Sequence, residues 1–342
     1  MKLSRLWQLA LLLLCFITFH ASSTENQQAR AINPETLAVI ANKADPESLK
    51  LAAVYVKKRG IPQQNLIVVD LAGIPTTLSL AQFEALKKEI DKQLSPKILA
   101  VVFAWTSPYR VECNSLTSAY TLGFQGELCK HSCEPSKQSP YFNTISQQPH
   151  KDFGMRLSML LPTLPGDGSE RLIERGIASD GSWPEGEAYF MITSDKARSS
   201  RKQFFLPSGE VKERRLKIYR YFSDSIRDRK NVMFYFTGLV HVPHLDTLEF
   251  LPGAVGDHLT SSGGDLLGQY QMSSLKWLEA GTTGSYGSVS EPCNHWQKFP
   301  NPAVMMLNYL RGETLIEAYW KSVAWPGQGI FIGEPLANPY RP

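Results

Sequence analysis

The first hundred positions alternate between continuous apolar runs and helically spaced apolar residues. The continuous runs, which are typical of buried strands, occupy 36–40, 65–70 and 97–104. After the first run, Asp45 and Pro46 predict a helix start and Gly60 predicts its end. A second helix is predicted over 80–94. Strands that alternate with helices and lack polar positions predict a parallel sheet covered on both faces.

The pattern weakens in the middle of the chain and returns later. Residues 107–150 predict a loop-rich excursion, and the polar residues 195–230 predict a surface helix with loops. Further strands are predicted at 155–161, 189–193, 231–237, 282–289 and 327–333. Further helices are predicted at 169–178, at 272–280 and from 301 onward, with a break near Gly312. We therefore expect one three-layer α/β domain over residues 24–342, with a mostly parallel sheet.

The first 23 residues have the pattern of a secretory signal peptide. Lys2 and Arg5 precede a short apolar run over 9–19, and small residues at 21–23 predict cleavage after Ser23. No later stretch is long and apolar enough to predict a membrane span. The sequence therefore predicts an exported protein, periplasmic or secreted.

Four cysteines follow the predicted cleavage site, and an exported protein meets an oxidising compartment where disulfides form. Cys113, Cys129 and Cys133 lie in the loop-rich excursion, and Cys293 lies far from them in the sequence. We expect at least one disulfide among the first three, and the spacing leaves the connectivity open.

Charge and motifs exclude several functions. Cleavage of the predicted signal peptide removes Lys2 and Arg5 and lowers the formal net charge from +4 to +2. A net charge this small does not indicate a nucleic-acid-binding protein. No G-x-G-x-x-G motif follows the first strand, so no dinucleotide cofactor is predicted. We expect no cofactor, and the sequence names no partner.

Most of the candidate chemistry lies in 231–336, where apolar strands end at glycine-rich turns. Cys293 is the candidate nucleophile, with His241 as its base and His295 as an alternative base. The same turns supply candidate ligand contacts, which are Asp257, His258, Ser261, Gly287, Glu291 and Asn294. We expect His241, His258 and Cys293 to border one cleft at the carboxyl edge of a parallel sheet.

Other interpretations of these residues are possible. Cys293 is alternatively a structural or disulfide-bonded residue. The spacing of His241, His244 and Asp246 matches no established metal site. In an exported protein, a disulfide is more probable than a zinc site at Cys129 and Cys133, so no metal is predicted. Tryptophans 277, 296, 320 and 325 could line a cleft, although core packing is the better interpretation for the helical residues 277 and 320.

Two resemblances add to this interpretation. The segments PGAVGDHLTS, WLEAGTTGSYGSVSEPCN and AYWKSVAWPGQGIFIGEPL resemble an uncharacterised bacterial family of exported proteins. A more remote resemblance is to caspase-like cysteine peptidases, gingipains in particular, which carry a His after one strand and a nucleophilic Cys after the next. His241 matches that His, whereas 257–262 contain no Cys and Cys293 follows one strand later. The resemblance implies a caspase-like sheet, with a flavodoxin-like sheet as the alternative.

Three functions are compatible with these observations. The first is a binding protein for a peptide or glycan on a caspase-like scaffold, with a groove lined by Trp and Gly. The second is a cysteine-dependent hydrolase in which Cys293 attacks and a nearby His is the base. The third is a structural component of an envelope complex. A disulfide at Cys293 would remove the second function, because the thiolate is the nucleophile.

Overall fold

The computed structural model describes residues 32–342. The predicted signal peptide and its cleavage site lie outside the described residues. Within the described part of the chain, no helix has the length and apolar character needed to cross a membrane.

Fourteen strands are formed by the described residues. They are β1 Leu37–Asn42, β2 Leu66–Val69, β3 Thr77–Leu78, β4 Ala100–Phe103, β5 Arg110–Val111, β6 Asn114–Ser115, β7 Leu157–Leu160, β8 Gly186–Ile192, β9 Gly209–Val211, β10 Leu216–Phe222, β11 Val232–Thr237, β12 Phe250–His258, β13 Gly284–Ser288 and β14 Gly329–Gly333.

The same residues form nine α-helices. They are α1 Pro46–Arg59, α2 Leu80–Gln93, α3 Leu116–Leu122, α4 Glu127–Lys130, α5 Pro149–Phe153, α6 Gly168–Ser179, α7 Leu275–Ala280, α8 Pro302–Leu310 and α9 Leu315–Ser322.

Eleven strands form one sheet in the order β2-β1-β4-β7-β14-β13-β12-β11-β8-β10-β9. Neighbouring strands run parallel, except that β13 and β14 are antiparallel, as are β9 and β10 at one edge. The sheet therefore has two parallel halves that point in opposite directions and meet at the β13–β14 pair. The carboxyl ends of β8, β11, β12 and β13 share one edge, and those of β1, β4, β7 and β14 share the opposite edge.

Local sequence signals explain the predicted first helix. The Asp45 side chain accepts a hydrogen bond from the Glu47 N–H at 3.0 Å, and Pro46 occupies the first helical position. Gly60 ends α1 in the left-handed conformation at φ 65°, which glycine adopts without a steric penalty. The predicted helix therefore forms with the predicted start and end.

Helices cover both faces of the sheet. A Cβ at Gly256 of β12 would lie 2.4 Å from Trp277 of α7, and one at Gly284 of β13 would lie 2.6 Å from Leu315 of α9. Gly284 is the register partner of Val255, so Gly256 and Gly284 face opposite sides. The helices α7 and α9 thus pack on opposite faces, which confirms the predicted three-layer α/β fold.

The core contains Trp277 and Trp320, as predicted for the two helical tryptophans. Trp277 and Trp320 are fully buried, and the Trp320 indole N–H donates to the Ser158 carbonyl at 2.8 Å. Burying a side chain of this size contributes about 1.5–3 kcal/mol, provided that its N–H finds a partner.

Two parts of the fold differ from the sequence prediction. Residues 195–230 contain the seven-residue strand β10 rather than a surface helix, and β10 pairs with β8 along its whole length. The excursion contains the buried helix α3, whose first residues are Ser and Thr as well as Leu. In both segments, polar residues interrupt the hydrophobic pattern of the sequence, and contacts with the rest of the fold determine the structure.

Candidate functional site

The carboxyl edge shared by β8, β11, β12 and β13 brings together most of the residues selected from the sequence. Thr237 at the end of β11 is the register partner of His258 at the end of β12. The turns that follow carry His241 and Ser261. Open α/β sheets bind ligands at the carboxyl ends of their strands, so this edge is the candidate site.

A buried ion pair lies beneath this edge. Arg201 Nη2 is 2.6 Å from Asp257 Oδ1, and both side chains are about 1% exposed. Arg201 also donates to the carbonyls of Pro300 at 3.0 Å and Thr237 at 2.9 Å. Burial raises the pKa of the Asp257 carboxyl, and the Arg201 guanidinium opposes that rise. The pair therefore links the end of β12 to the end of β11.

A second buried group, His258, is fixed on the other side of β12. The Trp277 indole N–H donates to His258 Nδ1 at 2.9 Å, so the imidazole proton is on Nε2, which lies 3.0 Å from the Met272 carbonyl. Burial lowers the pKa of His258 to about 3. His258 is therefore neutral, and both of its ring nitrogens have hydrogen-bond partners within the protein.

The burial of Asp257 and His258 changes their predicted role. Each is about 1% exposed and each has an internal partner, so neither presents a surface that a bound ligand could contact. Both act by positioning the end of β12. Sequence reasoning identified the correct turn but could not show which side chains face outward.

Two turns at the edge are joined through Gln271 and Met272. The Met272 N–H donates to the Val240 carbonyl at 3.0 Å, next to His241. Gln271 Oε1 accepts hydrogen bonds from Thr260 Oγ1 at 2.7 Å and from the Ser262 N–H at 2.8 Å. These contacts place the His241 turn and the Ser261 turn against one connecting segment.

Gly287 contributes through close backbone packing. A Cβ at Gly287 would lie 2.3 Å from the Gly263 carbonyl carbon, and the Gly264 N–H donates to the Ser288 carbonyl at 2.8 Å. Only glycine permits this approach of β13 to the turn after β12. The space beside Gly287 is therefore filled by the backbone of Gly263 and Gly264 and is not available to a ligand.

At this edge, His241, Ser261, Leu267 and Tyr270 reach the surface, and we call these four residues the edge site. His241 is exposed and Ser261 is half-buried. Leu267 is 55% exposed and Tyr270 is 88% exposed, although both are large apolar residues. Because these two apolar side chains lie on one short loop, we treat them as a candidate contact surface for a ligand.

The loop that carries Leu267 and Tyr270 is anchored at both ends. Asp265 forms an ion pair with Arg110 at 2.8 Å and accepts a hydrogen bond from the Tyr109 hydroxyl. Burial, together with that hydrogen bond, raises the pKa of Tyr109 to about 12. At the other end, the Ser273 hydroxyl donates to the Leu266 carbonyl at 2.9 Å. The exposed side chains therefore project from an ordered loop.

The cysteines form two disulfides. Cys113 pairs with Cys129, which confirms the prediction of a bridge within the excursion, and Cys133 pairs with Cys293. Cys293 has φ 55°, an uncommon backbone conformation for a residue other than glycine. A disulfide sulfur has no thiolate, so Cys293 is not a nucleophile in this oxidised protein.

His241 and Cys293 follow strands that are two positions apart in the sheet, since β12 lies between β11 and β13. Those strand axes are separated by roughly 10 Å. His295 is closer to Cys293 in the sequence, and its ring packs 6.0 Å from that of Trp325. Glu291 and Asn294 are exposed on the turn after β13, and the Glu291 carboxylate accepts a hydrogen bond from the Cys293 N–H at 2.7 Å.

Metal-ligand residues do not gather at this edge. Among residues 32–342, no group of three or more His, Cys, Asp or Glu side chains is placed to hold a metal ion. His244 instead lies with Nε2 3.0 Å from Arg227.

Sequence reasoning missed Arg201, Gln271 and Tyr270. Arg201 lies in the polar segment 195–230, where nothing distinguishes a buried arginine from a solvated one. Tyr270 follows the glycine-rich turn 263–268, and a large side chain directly after such a turn is a signal that could have identified it as a candidate contact residue.

Comparisons with known proteins add little to this geometry. No family model matches the chain, and no curated protein matches it. One solved structure that is similar is described as "Structure of Protease", with 12% identity, coverage of 91% of this chain and 80% of that chain, and a TM-score of 0.48. A similarity of this size supports no inference about activity.

Proposed function

We propose that the protein is an exported binding protein for a peptide or glycan chain, which it holds at the edge site. The observation that carries this proposal is the exposure of Tyr270 and Leu267 on an anchored loop, whose next residues, Gln271 and Met272, bond to the turns that carry His241 and Ser261. An exported location is supported by the signal-like sequence and by two disulfides, which form in oxidising compartments.

Each group at the edge site has a distinct role in this proposal. The Tyr270 ring offers a flat apolar face for a sugar ring or a peptide side chain, and its hydroxyl remains in water. Leu267 extends the apolar contact, while the His241 ring and the Ser261 hydroxyl offer hydrogen bonds to polar groups of the ligand. Because the loop is anchored before binding, less conformational entropy is lost when the ligand binds.

The test compares the wild-type protein with Tyr270→Ala on an immobilised peptide array and on a glycan array. The matched control is Leu49→Ala, because Leu49 is 38% exposed but lies on α1, which follows β1 at the opposite edge of the sheet. We expect Tyr270→Ala to lose at least tenfold in affinity and Leu49→Ala to bind as the wild type does. Equal binding by Tyr270→Ala, or no binding to either array, would contradict the proposal.

The cysteine-hydrolase alternative now depends on the redox state of Cys293. It requires that the Cys133–Cys293 disulfide be opened, because the bonded sulfur cannot attack a carbonyl. The measurement is cleavage of a fluorogenic peptide pool before and after mild reduction, with Cys293→Ser as the control. We expect no cleavage in either state, and activity that appears on reduction and is lost in Cys293→Ser would establish the alternative.

A further inference from the structure

A cavity of about 190 Å³ lies between helices α6 and α7, away from the edge site. Leu164, Pro165, Gly168 and Leu278 form its apolar walls, and Arg171, Arg175 and Glu279 supply the charged groups. A water molecule has a share of liquid volume of about 30 Å³, so the cavity has room for about six waters or for a small organic ligand.

Arg175 is a half-buried guanidinium whose donors are only partly used. Its Nη2 donates to the carbonyls of Leu278 and Thr282, both at 2.9 Å, which stabilises the end of α7. Its Nε is buried and has no hydrogen-bond partner in residues 32–342. Because a guanidinium has five N–H donors, these two carbonyls leave part of its hydrogen-bonding capacity unused.

Arg175 also lacks a negatively charged partner in the described part of the chain. Two other arginines with largely buried side chains have such a partner, since Arg59 contacts Asp180 and Glu334, and Arg201 contacts Asp257. Among the cavity residues, the carboxylate of Glu279 is bonded to Lys276 at 2.6 Å rather than to Arg175.

The second cation makes the cavity more attractive to an anion. Arg171 lies one helical turn before Arg175, and its ion pair with Asp167 is exposed to solvent. Burial, together with the charge of Arg171, lowers the pKa of Arg175 to about 10, so the guanidinium remains charged at neutral pH. Two cations and one carboxylate give the lining a net positive charge.

We propose that this cavity binds a small carboxylate that carries a short aliphatic group. The carboxylate would accept hydrogen bonds from Arg175 Nη1, for which no hydrogen bond is found among residues 32–342. The aliphatic group would pack against Leu164, Pro165 and Leu278. The size limit of the cavity favours a ligand with the dimensions of a branched short-chain acid or an amino acid.

The experiment uses isovalerate as the probe and isovaleramide as its matched uncharged control, with binding to the oxidised full chain measured by calorimetry. We expect isovalerate to bind with a Kd of about 1 mM and the amide to bind at least tenfold more weakly. Inorganic phosphate forms a third arm, because it carries the charge without the aliphatic group, and we expect it to bind more weakly than isovalerate.

A variant assigns the binding to this cavity. Arg175→Lys keeps one charge but loses the Nη1 donors and the hydrogen bonds to the carbonyls of Leu278 and Thr282. We expect at least a tenfold loss of isovalerate affinity and a lower melting temperature, so binding is measured at a temperature at which circular dichroism shows that the variant is folded. Equal binding of isovalerate and its amide would overturn the proposal, as would wild-type affinity in Arg175→Lys. If phosphate binds as tightly as isovalerate, the site is a general anion site and the aliphatic part of the proposal is wrong.

Discussion

The buried ion pair beneath the edge site allows a quantitative prediction. Replacing Arg201 by Met removes the charge but keeps a long side chain in the same space. Three contacts are lost, which are the ion pair with Asp257 and the hydrogen bonds to the carbonyls of Pro300 and Thr237. The Asp257 carboxylate is left about 1% exposed with no partner among the described residues.

The expected loss is large because an unpaired buried charge is costly. Removing one partner of a buried ion pair lowers the free energy of unfolding by about 3–5 kcal/mol. The two hydrogen bonds from a charged donor would each contribute about 1.5–3 kcal/mol if they were independent. They belong to the same side chain, so the contributions overlap, and we expect Arg201→Met to lose about 3–5 kcal/mol in total.

The effect of Arg201→Met should also depend on pH. Burial already raises the pKa of Asp257 above that of the unfolded chain, and removing Arg201 takes away the interaction that lowers it. A carboxyl whose folded pKa is raised favours the folded state when it is protonated, and this contribution is lost as pH rises. The difference between Arg201→Met and the wild type should therefore shrink at acidic pH.

Urea unfolding followed by tryptophan fluorescence measures these free energies. Adding Asp257→Asn to Arg201→Met should recover part of the loss, because the unpaired charge is removed. The control is Arg215→Met, which breaks an ion pair with Glu185 whose side chains are 61% and 63% exposed, and we expect a loss under about 1 kcal/mol. The reasoning is refuted if Arg201→Met loses no more than this control, or if Asp257→Asn brings no recovery.

Three further predictions concern residues around the same edge. Burial lowers the pKa of His258 to about 3, so the NMR signals of its ring should not change between pH 8 and pH 5. A histidine whose folded pKa is lowered stabilises the fold above its unfolded pKa, and this contribution is lost as pH falls. His258→Gln should therefore lose less stability than the wild type on acidification. Gly287→Ala should lower the free energy of unfolding by about 1–3 kcal/mol, whereas Gly209→Ala, where a Cβ meets no atom within 4 Å, should leave it unchanged in the same urea experiment. Replacing both Cys133 and Cys293 by Ser should lower the melting temperature more than replacing Cys113 and Cys129, because the sequence separations are 160 and 16 residues; equal shifts in calorimetry would contradict this.

The sequence predicted elements whose signals are local. The helix that begins at Pro46 and ends at Gly60 has its start and stop within the chain itself. Strand β11 is an apolar run, VMFYFT, and its burial on both faces follows from that composition. The parallel three-layer fold could therefore be predicted.

What the sequence did not predict depends on distant contacts. Strand β10, LKIYRYF, places Lys217 and Arg220 among apolar residues, so it resembles a polar surface segment until β8 is known to lie beside it. The antiparallel junction of β13 and β14 has no signal in either strand.

The same limit applies to the candidate site. The glycine-rich turns identified the correct edge of the sheet, because strand ends can be read from the pattern. The partner of Asp257 is 56 residues away at Arg201, and the partner of Cys293 is 160 residues away at Cys133. These two pairs determine which candidate residues have partners inside the protein, and such distant pairs cannot be predicted from the sequence pattern.

The position of β14 has a consequence for how the protein is made. This strand is the last of the eleven to leave the ribosome, yet it lies in the middle of the sheet, between β7 and β13. Until Gly329–Gly333 is synthesised, β7 and β13 each keep an unpaired edge, and the two halves of the sheet have no strand between them. The eleven-stranded sheet therefore cannot be completed during translation until Gly329–Gly333 has left the ribosome, which would suit the export of an unfolded chain that we propose.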